Sequence, residues 1–157
     1  VTLIGEHGKR ELPISALQTD AYETALQEDE ILSDIRVPKW SPRTTGAYLK
    51  FGYHHRPTLG VGVALTVDDN GIIHDVRIAI GSVSPFPLRI SDAERMLTGA
   101  KLDHIEEAAQ EAGLIASKQV EAIDDLHGSA DYKRHLVSVF VPRAVNRAIS
   151  GAEDGNS

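Results

Sequence analysis

The stretch LGVGVALTVDDNGIIHDVRIAIGS, residues 59–82, is the part of the sequence that decides the fold. Two apolar runs rich in β-branched residues, Leu59–Val67 and Ile72–Ser82, lie on either side of the tetrapeptide DDNG. Because Asn and Gly both tolerate a positive φ, an Asn-Gly pair between two apolar runs is typical of a β-hairpin turn. The stretch therefore predicts an antiparallel pair of long strands.

Two helices are predicted downstream of this hairpin. Ser91 and Glu94 form an S-x-x-E capping box, which indicates the start of a short helix, and Gly99 is placed to end it. Apolar residues then recur at spacings of three and four between residues 102 and 112, which predicts a second helix that Gly113 closes.

A third helix is predicted near the end of the sequence. Ser129 is in position to cap its first turn. Pro142 lacks a backbone N–H and its ring clashes with the carbonyl four residues earlier, so we expect a kink or a break there. Residues 151–157 are polar and are predicted to form a tail. The expected apolar face consists of Tyr132, Leu136, Val139, Phe140, Val145 and Ile149.

The first 45 residues show weaker patterns that predict small elements. The runs 1–4 and 11–14 flank a turn that contains glycine and predict a short hairpin. A short helix is expected over 19–27, and an extended segment over 30–38. Residues 39–45 carry little apolar periodicity, so we interpret them as a linker with a domain boundary near residue 42.

The composition excludes several classes of protein. A length of 157 residues fits a compact fold with its own core, and a net charge of −7 disfavours a nucleic-acid partner. No apolar stretch approaches the ~20 residues that a membrane-spanning helix needs. The absence of cysteine excludes disulfides and thiolate-bound iron–sulfur clusters. The only methionine is Met96, so we expect that Val1 was not the first residue translated and that a further segment preceded it.

None of the short polar motifs forms a self-sufficient active site. Neighbouring side chains on a strand point to opposite faces, so the adjacent histidines at 54–55 do not predict a metal site. Ser129, His127 and Asp131 have the residue types of a hydrolytic triad, but they are crowded at a helix start, where capping explains them better. The tripeptide GVG at 60–62 begins like a dinucleotide fingerprint, yet it leads into a strand. We therefore predict no catalytic residue and no metal ligand.

Lys50 and Arg56 differ from these motifs, because they bracket a short aromatic segment, FGYHH, just before the first long strand. A lysine followed by glycine and aromatic residues can offer a fixed positive charge and a stacking surface to an anionic or heteroaromatic ligand. The residues alone leave a second interpretation open, in which this is a surface loop with a solvated lysine. We name Lys50, Phe51 and Arg56 as the candidate binding residues.

Four spaced segments resemble one known family. They are YLKFG at 48–52 followed by Arg56, GSVSPFPLR at 81–89, the pattern E-x-x-L-x-G at 94–99, and DDLHGSADYKRHL at 124–136. In this order they are similar to the C-terminal domain of the flavin subunit of molybdenum hydroxylases, a family that includes xanthine dehydrogenases and aerobic carbon monoxide dehydrogenases. Further upstream, the short hairpin predicted for residues 1–14 and the segment EILSDIRVP at 30–38 resemble the last stretch of the preceding flavin-binding domain.

The resemblance implies a fold and its boundaries. The expected class is α+β, with a three-stranded antiparallel sheet packed against a three-helix bundle and preceded by a remnant of the flavin-binding domain. Residues 1–41 would be that remnant, residues 42–150 the CO dehydrogenase flavoprotein C-terminal-like domain, and residues 151–157 a polar tail.

The resemblance also implies a function, as the C-terminal part of the FAD subunit of a cytoplasmic oxidoreductase of the molybdenum-hydroxylase type. Lys50, Phe51 and Arg56 would then lie at one wall of the flavin site. The partners would be a large subunit with the molybdenum cofactor, molybdopterin, and a small iron–sulfur subunit. The [2Fe–2S] clusters of the small subunit would deliver electrons to FAD, and the subunit contacts of this chain would serve that transfer.

By itself the chain is not expected to be catalytic or to hold FAD, because its sequence contains no glycine-rich segment of the kind that cradles a pyrophosphate. Residues 1–38, as part of a neighbouring domain, are expected to expose strand edges through which the chain could self-associate. The alternative function is a free-standing protein-interaction or ligand-binding module that has kept this fold without a redox role.

Overall fold

The computed structural model describes residues 1–52 and 56–154 of the chain. The chain divides into two units, Val1–Lys39 and Trp40–Ser157. Within the described ranges, no helix combines the length and the apolar character that crossing a membrane requires.

The first unit is built from short strands. They are β1 Thr2–Gly5, β2 Gly8–Glu11, β3 Gln18–Asp20, β4 Glu23–Thr24 and β5 Ile31–Asp34, with a 3-10 turn at Ile14–Ala16. β1 pairs with β2 on one edge and with β5 on the other, and both pairings are antiparallel. The predicted first hairpin is therefore confirmed, with its second strand at 8–11 instead of 11–14.

The helix predicted over residues 19–27 is wrong, because this segment forms the antiparallel β3–β4 hairpin. Tyr22 lies in its turn with a left-handed φ of 61°. The Arg10 guanidinium donates to the Ala25 carbonyl at 2.6 Å and pairs with the Glu30 carboxylate at 2.6 and 2.7 Å. That pairing, together with the Gln27 N–H, lowers the pKa of Glu30 to about 2. An isolated helix of this length is marginal, so the long-range bonds to Arg10 decide the conformation.

In its described residues, the second unit carries a four-stranded sheet, three α-helices and a 3-10 turn at Leu102–His104. Its elements are β6 Thr44–Phe51, β7 Leu59–Val67, β8 Ile73–Gly81, β9 Leu88–Arg89, α1 Ser91–Leu97, α2 Ile105–Gln119 and α3 Ala130–Asp154. The strand order is β6-β7-β8-β9, and all neighbours are antiparallel. α1 and α3 pack on one face of the sheet, where alternate side chains of β7 and β8 are buried, and α2 packs against α1 and α3. The predicted α+β class is confirmed, and the short β9 is added to the three expected strands.

The β7–β8 hairpin has the predicted strands and a different turn geometry. Asp68 Oδ1 accepts the backbone N–H groups of Asn70 and Ile72, both at 2.9 Å. Gly71 has a φ of +72°, whereas Asn70 keeps a negative φ, so the turn needs one left-handed residue and not two. The side chain of Asp68 supplies the rest of the turn's stabilisation.

β6 begins inside the segment that we interpreted as a linker. The hydroxyls of Thr44 and Thr66 are hydrogen-bonded at 2.8 Å, and the Thr45 hydroxyl donates to the Ala148 carbonyl of α3 at 3.0 Å. These polar contacts with a neighbouring strand and a helix extend β6 beyond its apolar residues. Apolar periodicity therefore could not reveal where this strand starts.

The predicted capping box of α1 is wrong. Ser91 makes no side-chain capping bond, and the Glu94 carboxylate instead accepts the Ile78 N–H of β8 at 2.9 Å and pairs with Arg89 of β9. The hydrogen bond to Glu94 raises the pKa of Arg89. Gly99 follows the helix with a φ of +85°, as expected for a residue that ends it.

α2 does not end at Gly113 and α3 is not broken at Pro142, so the predicted helix end and the predicted break are wrong. The two residues meet where the helices cross. A Cβ at position 113 would lie 2.7 Å from the Ser138 carbonyl oxygen and 2.9 Å from Pro142 Cδ. In a regular helix the Ser138 carbonyl would accept the N–H of residue 142, but proline has no N–H. Gly113 and Pro142 therefore allow α2 and α3 to pack closely. α3 continues to Asp154, past the expected start of the polar tail at residue 151.

The predicted cap of α3 is present, because the Tyr132 N–H donates to Ser129 Oγ at 3.2 Å. Replacing Ser129 with alanine is expected to lower the free energy of unfolding by about 1 kcal/mol, since one N–H of the first turn loses its acceptor. Urea unfolding followed by circular dichroism measures this change. Ser150→Ala is the matched control, because that exposed hydroxyl only donates back to the Asn146 carbonyl of its own helix. Equal midpoints for the two variants would contradict the capping role.

Candidate functional site

The outer face of the four-stranded sheet, opposite the helices, carries the candidate binding residue Lys50. Side chains of a strand alternate between faces. In β6 the side chains of Ala47, Leu49 and Phe51 pack against the core, whereas Tyr48 and Lys50 are exposed on the other side. Lys50 and Tyr48 therefore share one face of the sheet.

The ring of Tyr48 lies across the glycines of the neighbouring strand. A Cβ at Gly60 would be 2.6 Å from the Tyr48 hydroxyl oxygen, and a Cβ at Gly62 would be 3.9 Å from Tyr48 Cδ2. Lys50 is the register partner of Gly60, so the hydroxyl end of the ring lies beside the position of Lys50. The GVG tripeptide that begins like a dinucleotide fingerprint instead makes room for an aromatic ring.

The rest of the outer face combines small and charged side chains. In β8 the exposed Ala79 lies beside Gly62, and the exposed Arg77 forms an ion pair with Asp75 at 3.2 Å. The Tyr48 ring over the glycines offers an aromatic surface, the neighbouring Ala79 side chain is small, and Lys50 supplies a positive charge. This combination suits a planar ligand that carries negative charge.

The three candidate residues do not share one surface. Phe51 lies on the core side of β6, where its ring meets Phe140 of α3 at a centroid distance of 5.3 Å and an angle of 62°. Arg56 is exposed in the connection between β6 and β7. Residues 53–55, which include the two adjacent histidines, lie outside the described residues.

The base of this β6–β7 connection is held by hydrogen bonds on both sides of the undescribed residues. The Thr58 N–H donates to the Phe51 carbonyl at 2.9 Å, and the Thr58 hydroxyl donates to the His127 carbonyl at 3.3 Å. Thr58 is 7% exposed, so these bonds are shielded from water. They join the end of the strand that carries Lys50 to the turn that precedes α3.

The polar residues around Ser129 have structural partners. Ser129 caps α3, Asp131 pairs with Arg134 at 2.8 Å, and the His127 N–H donates to Asp125 at 2.8 Å. They do not form a hydrolytic relay. In the part of the chain that the structure describes, no three His, Asp or Glu side chains come close enough to hold a metal ion.

Sequence reasoning missed two features of this part of the structure, one on the outer face and one at the start of α3. Tyr48 belongs to a quoted segment but was not a candidate, although a residue two positions before Lys50 in a strand must share its face. This rule could not be applied to the sequence alone, because residues 39–45 were interpreted as a linker and the strand β6 was not predicted. The burial of Lys133, which supports the turn before α3, had no sequence pattern that could reveal it.

Comparison with known proteins shows which family this chain resembles. The sequence model of the family described as CO dehydrogenase flavoprotein C-terminal domain matches residues 54–148. The carbon monoxide dehydrogenase medium chain of Hydrogenophaga pseudoflava is 34% identical over 148 residues, which are 93% of this chain and 50% of that relative. The nicotine 6-hydroxylase medium subunit of Paenarthrobacter nicotinovorans is 35% identical over 144 residues, which are 90% of this chain and 49% of that relative. The chain thus spans about half the length of the curated relatives it matches.

A solved structure of a similar protein has the same fold. Carbon monoxide dehydrogenase from Hydrogenophaga pseudoflava, in a form that lacks the Mo-pyranopterin moiety of the molybdenum cofactor, superposes with a TM-score of 0.86 at 34% identity. The match covers 95% of this chain and 52% of that chain. By name, the relatives are subunits of a dehydrogenase and a hydroxylase, and both of these are oxidoreductases.

Proposed function

Because this chain belongs to the family of CO dehydrogenase flavoprotein C-terminal domains, we propose that the outer face of its β6–β7–β8 sheet forms one wall of an FAD site. The family match over residues 54–148 confirms the resemblance carried by the segments at 81–99 and 124–136. The observation that carries the proposal is the placement of Lys50 and Tyr48 on one exposed face above Gly60 and Gly62.

The residues of this face fit the ring system of a flavin. The glycines let the Tyr48 ring lie close to the strand, since a Cβ at position 60 would meet its hydroxyl, and Tyr48 is 66% exposed, so its outer side is available as a stacking surface. FAD, when bound, accepts electrons and gains negative charge on the pyrimidine side of its ring. A lysine ammonium near that side stabilises the added charge, which is the role that we assign to Lys50.

The other two candidate residues take different roles in this proposal. Phe51 supports Lys50 from the core side, because its ring is packed against Phe140 directly behind the end of β6. Arg56 is exposed in the following connection and would supply a second positive charge at the edge of the ring. The phosphate groups of FAD would be held by a flavin-binding domain.

The proposed setting is an oxidoreductase of the molybdenum-hydroxylase type. Its other components would be a large subunit with the molybdenum cofactor and a small subunit with [2Fe–2S] clusters that deliver electrons to FAD. The names of the relatives, which are medium subunits of such enzymes, support this setting.

Replacing Lys50 with methionine, in an FAD subunit that carries this sequence, is expected to lower the flavin reduction potential. At an effective dielectric constant near 20, two unit charges about 4 Å apart interact by roughly 4 kcal/mol, and screening leaves about 1–2 kcal/mol. At about 30 mV per 1.4 kcal/mol for a two-electron couple, the decrease is roughly 20–45 mV. A spectroscopic redox titration of the purified subunit measures it.

Lys118→Met is the matched control, because Lys118 lies in the last turn of α2, on the helix side of the sheet. It is expected to leave the potential unchanged. If Lys50→Met also left the potential unchanged at full flavin occupancy, Lys50 would be an ordinary surface lysine. A chain that binds no flavin in any subunit context would favour the alternative, a protein-interaction or ligand-binding module.

A further inference from the structure

Lys133 in the first turn of α3 is fully buried. Its ammonium Nζ donates to the Ile123 carbonyl at 2.8 Å and pairs with Asp125 Oδ2 at 2.7 Å. Removing an ammonium from water costs several kcal/mol, and an apolar residue of similar size is often at least as stabilising in such a position. The two acceptors of Lys133 both belong to the segment before α3, so its charge is used to hold that segment.

Asp125 passes this restraint on to the turn at 125–128. Its second carboxylate oxygen, Oδ1, accepts the His127 N–H at 2.8 Å. The backbone groups of Asp125 and Gly128 close the turn with bonds of 3.2 and 3.1 Å. Burial acts to raise the pKa of Asp125, but the hydrogen bonds from Lys133 and the His127 N–H outweigh it, so the net pKa is lowered. The carboxylate therefore stays ionised and keeps both partners at neutral pH.

His127 connects the turn to the β6–β7 connection. Its carbonyl accepts the Thr58 hydroxyl at 3.3 Å, and the Thr58 N–H closes onto the Phe51 carbonyl at 2.9 Å. Phe51 is the residue after Lys50. A continuous set of hydrogen bonds thus runs from a buried ammonium to the end of the strand that carries the exposed lysine.

We propose that Lys133 is a positioning residue that, through Asp125, the His127 carbonyl and Thr58, fixes the end of β6 and with it the location of Lys50. The assignment of a flavin as the ligand of Lys50 rests on the proposed function, whereas the positioning itself is a property of this chain. An apolar residue at 133 could fill the same space, but it could not bond to Asp125 and so could not keep the His127 carbonyl in place for the Thr58 hydroxyl.

Amide hydrogen exchange of the 157-residue chain, measured by NMR, tests the positioning without any cofactor. Thr58→Val removes the hydroxyl and keeps the side-chain shape. Lys133→Met removes the ammonium and keeps much of the length. Each variant is expected to speed exchange of the residue 58 amide about two- to tenfold, the factor expected for the loss of one net hydrogen bond. The double variant should exchange no faster than the faster single one, because both changes break the same set of bonds.

Thr66→Val is the matched control, because Thr66 lies on β7, the strand that follows Thr58, and its hydroxyl bonds to Thr44 at the far end of the sheet. It should leave exchange of the residue 58 amide unchanged. If Lys133→Met does not fold, Asp125→Asn tests the same link and should act in the same direction. Lys133→Arg, which retains a donor, should restore slow exchange. Unchanged exchange at residue 58 in Lys133→Met, or in Asp125→Asn in its place, would overturn the proposal.

A redox titration separates this proposal from the proposed function. In an FAD subunit that carries this sequence, Lys133→Met should shift the flavin potential in the same direction as Lys50→Met, and the double variant should match Lys50→Met alone. If Lys50→Met leaves the potential unchanged, the flavin assignment fails and the exchange result still decides the positioning role. If Lys50→Met lowers the potential and Lys133→Met does not, the positioning role fails and the flavin assignment stands.

Discussion

Replacing Glu94 with alanine is expected to lower the free energy of unfolding of the chain by about 3 kcal/mol. Glu94 is 8% exposed, and its carboxylate joins α1 to two strands. It accepts the buried Ile78 N–H at 2.9 Å and holds the Arg89 guanidinium through bonds of 2.7 and 2.6 Å. Alanine would leave the Ile78 N–H without an acceptor, which alone costs about 1–3 kcal/mol, and would remove the charge-assisted bonds to Arg89.

Urea unfolding monitored by circular dichroism measures this loss, with Asp92→Ala as the matched control. Asp92 lies in the same helix and carries the same charge, but its ion pair with Arg95 is exposed, so its removal should cost less than about 1 kcal/mol. Glu94→Gln should give an intermediate loss, because the amide oxygen can still accept the Ile78 N–H. Equal losses for Glu94→Ala and Asp92→Ala would contradict the role of Glu94 as a link between helix and sheet.

Replacing Gly113 with alanine is expected to destabilise the protein by about 2 kcal/mol, although alanine is the better helix former by about 1 kcal/mol. The new methyl group would lie 2.7 Å from the Ser138 carbonyl oxygen and 2.9 Å from Pro142 Cδ. The carbonyl and the proline ring are both rigid, so α2 and α3 would have to move apart. The free energy of unfolding in urea again gives the measure.

Gly62→Ala is the control for this steric effect. A Cβ at position 62 would have its nearest neighbours at 3.9 and 4.0 Å, an ordinary contact distance, so its effect should stay within about 0.5 kcal/mol. Combining Gly113→Ala with Pro142→Ala should recover part of the loss, because the pyrrolidine ring is then absent. A neutral or stabilising Gly113→Ala would mean that the helices are not in close contact at this position.

The cap of α3 was predicted correctly, whereas the helix end expected at Gly113 and the break expected at Pro142 are not found. The difference is whether the contacting residues are close in sequence or lie on two different helices. The capping bond between Ser129 and the Tyr132 N–H spans three residues, so the local pattern contained it completely. Gly113 and Pro142 are unfavourable in a helix only while the helix is considered alone. In the structure they face each other, and the missing side chain of Gly113 leaves room for the Pro142 ring and the Ser138 carbonyl. The local sequence pattern does not show that these two residues are in contact.

The candidate site shows the same division. The segments at 48–56, 81–99 and 124–136 were sufficient to identify the family, because the residues in each are close in sequence and the segments occur in a fixed order. The separation of Phe51 from Lys50 required β6 to be recognised as a strand that reaches Phe51, since alternation then sends the two side chains to opposite faces. Tyr48 joins the site for the same reason.

By itself, the sequence determined the long β7–β8 hairpin and the cap of α3, which depend on periodicity or on partners a few residues apart, and its spaced segments identified the family, whose resemblance implied the α+β class. Only the tertiary structure decided that Glu94 binds a strand N–H and that Lys133 is buried beside Asp125. The physical reason is that a buried polar group takes whichever partner the packing brings within about 3 Å. Local propensity amounts to a few tenths of a kcal/mol, whereas leaving such a group without a partner costs about 1–3 kcal/mol, so packing decides.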